Sequence, residues 1–315
     1  MSVLNEFAFV IDATLYNFSG LIFVVLGVFV LIRVSGYPDL TIDGSFTIGA
    51  VLYSVTAYTS SSALLALFIA VLGGAAAGAL TWAINVKLGI GKVISSVLSM
   101  IILILLAPYI SGGSSRSLLN SESGFAMISS LDEKISRYLL PDVSFQLHLV
   151  FNTVCMLLLG VILFGLAVFF RSKIGLKLRY IGGAEQPNLV NDKSRYYLLA
   201  LGLVLGNGLV ALGGAIEAER RAGYTNNMGV GTILIGLTVL ILGESIVKAR
   251  TNSRFLTVNG YFTGLVLGTL IYAFGIQIIL QMGFNFVDLR LLSAIFLLVI
   301  LAMANRKNSS SNELF

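Results

Sequence analysis

The stretch Ser35-Gly-Tyr-Pro-Asp-Leu-Thr-Ile-Asp-Gly-Ser-Phe-Thr-Ile-Gly49 interrupts a very apolar chain with a proline, three glycines and two carboxylates. Backbone groups that proline or glycine frees inside hydrocarbon must find partners or line a wet cavity. Pro38 lacks an N–H and suits the first turn of a helix. Asp39, Thr41 and Asp43 are residue types that cap helix starts. The stretch therefore predicts a kinked junction between two helices.

The chain around this junction has the composition of a polytopic membrane protein. Of its 315 residues, 57% are hydrophobic and 11% are charged, whereas a soluble domain is about 25% charged. Mean hydropathy is +0.94. We predict an all-α polytopic membrane protein with about nine transmembrane helices, in a range of about eight to ten, including broken helices. The predicted spans are 14–34, 46–59, 62–84, 93–112, 147–170, 196–216, 230–247, 255–282 and 287–304.

The distribution of lysine and arginine predicts the orientation, because cytoplasmic loops carry an excess of both. The link 171–195 holds six of them against Glu185 and Asp192, which is typical of a cytoplasmic loop. Alternation of the spans from that loop places the N-terminus outside and the C-terminus in the cytoplasm.

A second copy of the junction follows later in the chain, as Ala222-Gly-Tyr-Thr-Asn-Asn-Met-Gly-Val-Gly-Thr-Ile-Leu-Ile-Gly236. Five identities occur at one offset of 187 residues, and they are Gly36/Gly223, Tyr37/Tyr224, Gly44/Gly231, Ile48/Ile235 and Gly49/Gly236. The predicted topology puts the two copies on opposite sides of the membrane. An inverted-topology repeat requires this placement, and such repeats are typical of transporters.

The repeat divides a single transmembrane domain, 1–315, into two halves. We expect a first half-repeat over about 14–112, an external loop over about 113–146 and a second half-repeat over about 147–304. The polar tail 305–315 has the composition of a disordered segment.

Two interpretations of the junctions remain open from the residues alone. In the first, polar side chains line a translocation pathway. The candidates are Tyr37, Asp39, Thr41 and Asp43 in the first copy, and Tyr224, Asn226 and Asn227 in the second. In the second, the carboxylates cap a helix and touch no substrate, although intramembrane carboxylates often mark function. Since Asn226 and Asn227 are neutral, a cation site made of symmetric carboxylates is not expected.

A charged group precedes the second copy, formed by Glu217, Glu219, Arg220 and Arg221. We interpret it as a mutually neutralised cluster, with a substrate site as the alternative. Glu244 and Lys248 have the spacing of a structural helical ion pair. Small residues four positions apart predict close helix crossings, at Gly74/Gly78, Gly202/Gly206 and Gly264/Gly268.

Residues for catalysis or metal binding are not grouped in any recognisable pattern. The chain has one histidine, His148, and one cysteine, Cys155, whereas a metal site or a histidine-based triad needs further partners. Gly89-Ile-Gly-Lys92 lacks the first glycine and the final Ser or Thr of a phosphate-binding loop. We expect a protein that is not an enzyme, binds no cofactor, metal or nucleic acid, and contacts membrane lipid.

Two motifs resemble one family. Extended to Ala50, the first stretch resembles the motif after the first span of ABC-importer permeases of the branched-chain amino acid/ribose/nucleoside type. The run Gly175–Leu189 resembles the family's coupling segment, although Ala184 replaces the usual asparagine. Two segments, Tyr-Pro-Asp-Leu-Thr-Ile-Asp-Gly and Glu-Ala-Glu-Arg-Arg-Ala-Gly-Tyr, are similar to those of a subgroup of these permeases that is assigned to uptake of tryptophan or other aromatic amino acids.

The resemblance implies a transport assembly in a bacterial plasma (inner) membrane. Two copies of the permease would form the pathway, two cytoplasmic ATPases would use ATP and Mg, and an extracytoplasmic binding protein would deliver substrate. The implied ATPase-coupling residues are Gly175, Leu176, Arg179, Gly182, Gly183 and Glu185. An aromatic amino acid is the expected substrate. The alternative substrates are nucleosides, sugars or branched-chain amino acids. The alternative class of protein is an ion-coupled secondary transporter.

Overall fold

The computed structural model describes residues 3–60, 62–118, 124–139, 147–183, 192–251 and 257–283, together with residues 294, 295 and 298. This part of the chain contains ten α-helices, α1 Val3–Val28, α2 Ile42–Ser60, α3 Ala63–Trp82, α4 Lys92–Ser111, α5 Gly124–Leu139, α6 Leu149–Arg171, α7 Lys173–Gly183, α8 Asp192–Arg220, α9 Thr232–Thr251 and α10 Val258–Gln281. Helices α1 and α3 continue as short π-helical segments, Phe29–Val34 and Ala83–Lys87. Two short strands, β1 Ser115–Ser117 and β2 Gly223–Thr225, pair antiparallel.

The prediction of an all-α polytopic membrane protein is confirmed. Six helical segments of the described chain are long and apolar enough to cross a membrane, namely Phe7–Val34, Ala63–Lys87, Lys92–Ser111, Leu149–Arg171, Ser194–Arg220 and Val258–Gln281. The predicted spans 46–59 and 230–247 correspond to α2 and α9, which are 19 and 20 residues long. The tail 305–315, and 287–304 except for residues 294, 295 and 298, lie outside the described residues. The number of about nine spans therefore stays a prediction.

Helices α1 and α8, which precede the two Gly-Tyr copies, pack antiparallel. Gly20 of α1 lies against Gly213 of α8, whereas Gly27, further along α1, lies against Gly206, which comes earlier in α8. Tyr16, one turn before Gly20 in α1, donates a hydrogen bond to the Arg220 carbonyl at the end of α8, at 2.9 Å. Paired helices of an inverted repeat have this relation.

Helices α2 and α9 each contact one helix of this central pair. Gly49 of α2 packs on the Ala211 backbone of α8, and Gly236 of α9 packs on the Val28 side chain of α1. The two glycines are 187 residues apart, so repeat-related glycines contact the central pair, although they meet different partner atoms. A side-chain carbon on Gly49 would lie 2.0 Å from the Ala211 carbonyl oxygen, so this crossing requires glycine.

The predicted close crossings at small residues are confirmed. Side-chain carbons on Gly74 and Gly78 of α3 would approach backbone oxygens of α8 to 2.4 and 2.2 Å. Gly264 and Gly268 of α10 lie directly against Gly243 of α9. Gly202 and Gly206 of α8 lie against Ser35 and Leu31, at the end of the first span. Absence of side chains lets these backbones approach closely, which is how membrane helices pack without a hydrophobic driving force.

Candidate functional site

The first junction is a break between the π-helical end of the α1 span and the start of α2. Gly36 has a left-handed φ of +60°, which favours glycine. The amide of Tyr37 donates to the Leu31 carbonyl at 3.0 Å. The Asp39 carboxylate then accepts a hydrogen bond from the Thr41 amide at 2.8 Å, immediately before α2 begins. Asp39 thus satisfies a backbone donor that the break would leave unpaired.

Asp39 also joins the two halves of the chain. Its Oδ2 accepts a hydrogen bond from Nδ2 of Asn207 in α8 at 2.7 Å. Oδ1 of Asn207 accepts one from the Ser45 hydroxyl of α2 at 2.6 Å. The hydroxyls of Thr41 and Thr81 are hydrogen-bonded to each other at 2.8 Å. All five side chains are buried. Since buried polar groups cost free energy unless they are satisfied, this network fixes the position of α2 against α3 and α8.

Asp43 caps the helix that follows the second copy of the junction. Its Oδ2 accepts a hydrogen bond from the Gly231 amide and its Oδ1 accepts one from the Ile233 amide, both at 2.8 Å. Gly231 directly precedes α9 and Ile233 lies in its first turn, where backbone donors have no partner within the helix. A carboxylate is also favoured there by the helix dipole. A side chain of the first copy of the junction therefore caps the helix that follows the second copy.

The other predicted pathway residues lie in different surroundings. Tyr37 is fully buried, and its hydroxyl donates to the Lys92 carbonyl at 3.1 Å, at the start of α4. Tyr224 is buried in β2, and its hydroxyl donates to Asn226 Oδ1 at 3.1 Å. Asn227 is exposed. The sequence prediction that these side chains line a pathway stays a prediction.

A cavity of about 110 Å³ lies beside the second junction, between α1, α8, α9 and α10. Its described lining includes Glu217, Arg220, Arg221, Met228, Val230 and Thr232. Three of these six residues belong to the second copy of the junction. The second copy of the junction therefore borders a cavity. The residues that line it are sequence neighbours of the predicted pathway residues Tyr224, Asn226 and Asn227, which are not in the described lining.

The charged wall of this cavity is an ion-paired group centred on Glu217. Arg220 binds the Glu217 carboxylate through Nε and Nη2, both at 2.7 Å, and Arg221 Nε binds the same carboxylate at 2.6 Å. Arg220 Nη1 also donates to Asn17 Oδ1 at 2.6 Å. Three of the four residues of the predicted cluster are therefore ion-paired with one another, with one carboxylate shared by two guanidinium groups. Glu219 is not part of it, since its carboxylate accepts a hydrogen bond from the Tyr53 hydroxyl of α2.

Helix α7 carries most of the predicted coupling residues and packs on the first junction. A side-chain carbon on Gly182 would lie 2.1 Å from the Val34 carbonyl oxygen, and one on Gly36 would lie 2.6 Å from the Gly182 carbonyl oxygen. Gly175 is equally close to the backbone at the end of α6. Leu178 is buried on the same face. The inner face of α7 is therefore fixed against the helix break.

The remaining coupling residues lie on other faces of α7. Leu176 is 52% exposed, Gly183 is exposed and Arg179 is half-buried. Glu185 lies outside the described residues. A role of any of these residues in coupling stays a prediction.

Arg33 lies at the end of the π-helical segment and lines a second cavity, of about 460 Å³, together with Arg179 and Tyr261. Its guanidinium binds Glu244 of α9 through two hydrogen bonds, at 2.6 and 2.9 Å. Glu244 also accepts a bond from Lys248 Nζ at 3.2 Å. The predicted Glu244–Lys248 pair is thus confirmed, within a larger group that links α1 to α9.

Arg33 and Arg220 occupy the same place in the two halves, and the sequence comparison missed this relation. Each stands three residues before a Gly-Tyr pair, at the offset of 187 residues. Each binds a glutamate and lines a cavity. The signal is visible once the repeat is extended three residues upstream of Gly36.

The start of α6 is fixed by two carboxylates. His148 Nδ1 lies 2.9 Å from Asp12 Oδ2, and the His148 ring stacks on Tyr16 at 3.9 Å between centroids. Asp132 of α5 accepts a hydrogen bond from the Val150 amide at 2.6 Å. Burial raises the pKa of the Asp132 carboxyl, although this amide opposes the shift. These contacts join α5 and α6 to α1.

Comparison with known protein families identifies the family of this chain. The family model described as "Branched-chain amino acid transport system / permease component" matches residues 10–304. The chain belongs to this permease family. It is a multi-pass membrane component of an amino acid transport system, as the sequence motifs predicted.

Two relatives of this permease cover most of its length. A "Tyrosine transport system permease protein" from Clostridioides difficile (strain R20291) is 29% identical over 280 residues, which are 89% of this chain and 86% of that protein. An uncharacterized protein, RP368, from Rickettsia prowazekii (strain Madrid E) is 25% identical over 284 residues, which are 90% of this chain and 94% of that protein. No solved structure matches the chain.

Proposed function

We propose that this permease is the membrane-spanning, non-catalytic subunit of an ATP-driven importer for an aromatic amino acid, with tyrosine as the first candidate. The observation that carries the proposal is the match, over 89% of the chain, to a protein named as a tyrosine transport system permease. The paired helix breaks support it physically, because inverted repeats with broken helices are suited to alternating access around a central site.

A cytoplasmic ATPase would dock on the outer face of α7. Leu176 and Tyr180, four residues apart on that face, are 52% and 38% exposed. Lys173 and Lys177 flank them and are exposed. Apolar side chains on one face of a short helix are what a groove on a partner protein recognises. ATP and Mg would be bound by that partner.

The inner face of α7 would carry movement of the ATPase to the pathway. Its Gly182 lies against Gly36 by backbone contact, so no flexible side chain separates α7 from the first junction. The junction is joined in turn to α8 through Asp39 and to α9 through Asp43. A displacement of α7 would therefore bias both halves together, and ATP would act by its different affinities for the two states.

The rest of the assembly follows from the same proposal. The segment 171–195 would face the cytoplasm, the N-terminus and the segment 113–146 would lie outside, and the C-terminus would lie in the cytoplasm of a bacterium. An extracytoplasmic binding protein would dock on the outer side, and a second copy of the chain would complete the pathway. The half-repeats 14–112 and 147–304 would move against each other.

A branched-chain amino acid is the second candidate substrate, because the family that matches residues 10–304 is described by that substrate class. Both candidates are α-amino acids, so the difference lies in the side chain. Substrate screening distinguishes them.

The test is stimulation of ATP hydrolysis. The permease is purified with a candidate ABC ATPase from the same genome, reconstituted in lipid, and mixed with a candidate extracytoplasmic binding protein. The binding protein is loaded in turn with tyrosine, tryptophan, leucine, a nucleoside and a sugar. We expect stimulation by the protein loaded with an aromatic amino acid. Stimulation by none of the loaded forms, or failure of the ATPase to co-purify, would refute the proposal.

A further inference from the structure

The larger cavity, of about 460 Å³, lies where several membrane-crossing segments end. Phe29 and Val34 of its lining belong to the end of the α1 span, Phe170 to the end of α6 and Val258 to the start of α10. Helix α7 supplies the remaining described wall. Because these spans are long enough to cross the hydrocarbon, a cavity at their ends lies at the level of the phospholipid headgroups.

Arginines from two elements converge on this cavity. Arg33 binds Glu244 through Nε and Nη2, so the donors on Nη1 are not used by that pair. Arg179 of α7 is half-buried and forms no ion pair with another described residue. The described part of the lining includes these two arginines and no carboxylate. The cavity therefore presents guanidinium donors to an acceptor that this lining does not itself supply.

The start of α10 adds further donors to the same cavity. The Tyr261 ring packs against Phe29 at 5.2 Å between centroids, and both Arg33 and Arg179 lie within electrostatic range of its hydroxyl. Val258 is the first residue of α10, which is 24 residues long, so the positive end of that helix dipole also faces the cavity. Phosphate groups bind well to guanidinium donors and to helix N-termini. The polar side of the cavity is therefore suited to a phosphate group.

The rest of the lining is apolar or aromatic. Phe29, Val34 and Phe170 are almost fully buried, whereas Leu176 and Tyr180 are 52% and 38% exposed. A phosphate ion gains nothing from these side chains, but the glycerol and acyl atoms of a lipid would bury apolar surface against them. Basic pockets between membrane helices bind anionic headgroups by this combination of contacts. The two sides of the cavity together favour a lipid over a small anion.

We propose that this cavity binds the headgroup of a membrane phospholipid with net negative charge, with its phosphate on Arg33, Arg179 and Tyr261. The lipid holds α7 against the ends of α1 and α10, so the content of anionic lipid in that leaflet sets how firmly α7 is held. Leu176 and Tyr180 also belong to the proposed ATPase-docking face, so the headgroup lies beside that partner. The lipid site itself does not depend on what the permease transports.

Thermal unfolding of the purified, full-length permease tests this. Cys155 is a free, buried thiol, so a thiol-reactive fluorophore reports unfolding of the protein in detergent. Short-chain phosphatidylglycerol should raise the unfolding temperature until the site is saturated. Short-chain phosphatidylcholine has the same phosphate without net charge, and inorganic phosphate has no apolar part. Each of these two should raise the unfolding temperature much less at the same concentration.

Variants locate the site. Arg179→Gln should weaken the apparent affinity for phosphatidylglycerol by about tenfold, as expected for loss of a charge-assisted hydrogen bond, and Arg179→Lys should weaken it less. Lys177→Gln is the matched control, because it removes the same charge from the same helix at an exposed position outside the described lining. Tyr261→Phe removes one hydroxyl and keeps the ring against Phe29. It should weaken the affinity about threefold and should fold even if Arg179→Gln does not.

Three results would overturn the lipid site. Equal stabilisation by phosphatidylcholine would indicate a general effect of lipid, and equal stabilisation by inorganic phosphate would indicate a site for a small anion. Equal loss of affinity in Arg179→Gln and Lys177→Gln, or unchanged affinity in Tyr261→Phe, would indicate diffuse attraction to a basic surface. These measurements use the permease without its ATPase, so they leave the proposed function to the test of stimulated ATP hydrolysis.

Discussion

The carboxylate of Asp43 accepts a hydrogen bond from the amide of Gly231, which lies 188 residues further along the chain, at 2.8 Å. Gly231 is the repeat counterpart of Gly44, the residue after Asp43. The contact therefore lies where the starts of the two repeated helices, α2 and α9, meet. Asp43 lies in the first turn of α2 and its carboxylate caps the start of α9, so it directly links the two helix breaks.

Removal of this cap should destabilise the protein. Asp43→Ala leaves the amides of Gly231 and Ile233 without their acceptor, and we expect a loss of about 1–3 kcal/mol in the free energy of unfolding. Asp43→Asn keeps one acceptor oxygen and should lose less. Thermal unfolding in detergent measures both. Glu133→Gln is the control, because Glu133 is 52% exposed, and its unfolding temperature should be unchanged. An Asp43→Ala protein as stable as the wild type would mean that the cap contributes nothing.

The contact between α7 and the first junction should be required for coupling. Gly182→Ala places a carbon 2.1 Å from the Val34 carbonyl oxygen, whereas the neighbouring Gly183→Ala meets nothing within 4 Å. Both changes raise helix propensity by about 1 kcal/mol, so propensity cannot explain a difference between them. We expect Gly182→Ala to reduce stimulated ATP hydrolysis severalfold and Gly183→Ala to leave it intact. Equal activities would show that α7 does not act through this contact.

The buried hydrogen-bond network around Asn207 should tolerate a swap of the Asp39 and Asn207 side chains better than removal of the Asn207 amide. Asn207→Ala leaves Asp39 Oδ2 and the Ser45 hydroxyl without their Asn207 partner, at a cost of about 1–3 kcal/mol for each group. The double variant Asp39→Asn/Asn207→Asp keeps an amide facing a carboxylate and should recover part of the stability. Unfolding temperatures of the three proteins give the comparison. No recovery in the exchanged pair would indicate that the carboxylate is needed at position 39 itself.

The close crossing at Gly49 should be intolerant of even a methyl group. Gly49→Ala brings a carbon to 2.0 Å from the Ala211 carbonyl oxygen, so α2 must move away from α8. We expect a loss of about 1–3 kcal/mol, as for other overpacked sites. Gly160→Ala on α6, where nothing lies within 4 Å, is the matched control. If both variants unfold at the same temperature, the helices are not packed as tightly as described.

The local chemistry of the chain was sufficient to predict the break itself. Glycines occur inside many of the helices and Pro108 lies inside α4, so a single glycine or proline does not end a helix here. Gly36 and Pro38 lie close together beside helix-capping residues, and this combination predicts the junction after Val34. The small-residue crossings were predictable for the same reason, since four-residue spacing puts two glycines on one helix face. The partner of Asp43 was not predictable, because nothing near it in sequence indicates an amide at Gly231.

The charged cluster before the second junction could be predicted only in part from the sequence. Glu217, Arg220 and Arg221 are spaced three and four residues apart and share one helix face, whereas Glu219 is two residues from Glu217 and faces α2 instead. Helical spacing could have separated Glu219 from the others. The cavity that the other three residues line depends on α1, α9 and α10, so it appears only when the distant helices are assembled.

Uptake of labelled L-tyrosine into proteoliposomes that hold this permease with its ATPase and binding protein is the decisive measurement of ATP-driven import. We expect tyrosine to accumulate only when ATP is present on the membrane side of the ATPase and the loaded binding protein is present on the opposite side. Accumulation should stop when either is omitted. Uptake that proceeds without ATP on an imposed ion gradient, or no uptake of any amino acid with all components active, would contradict it.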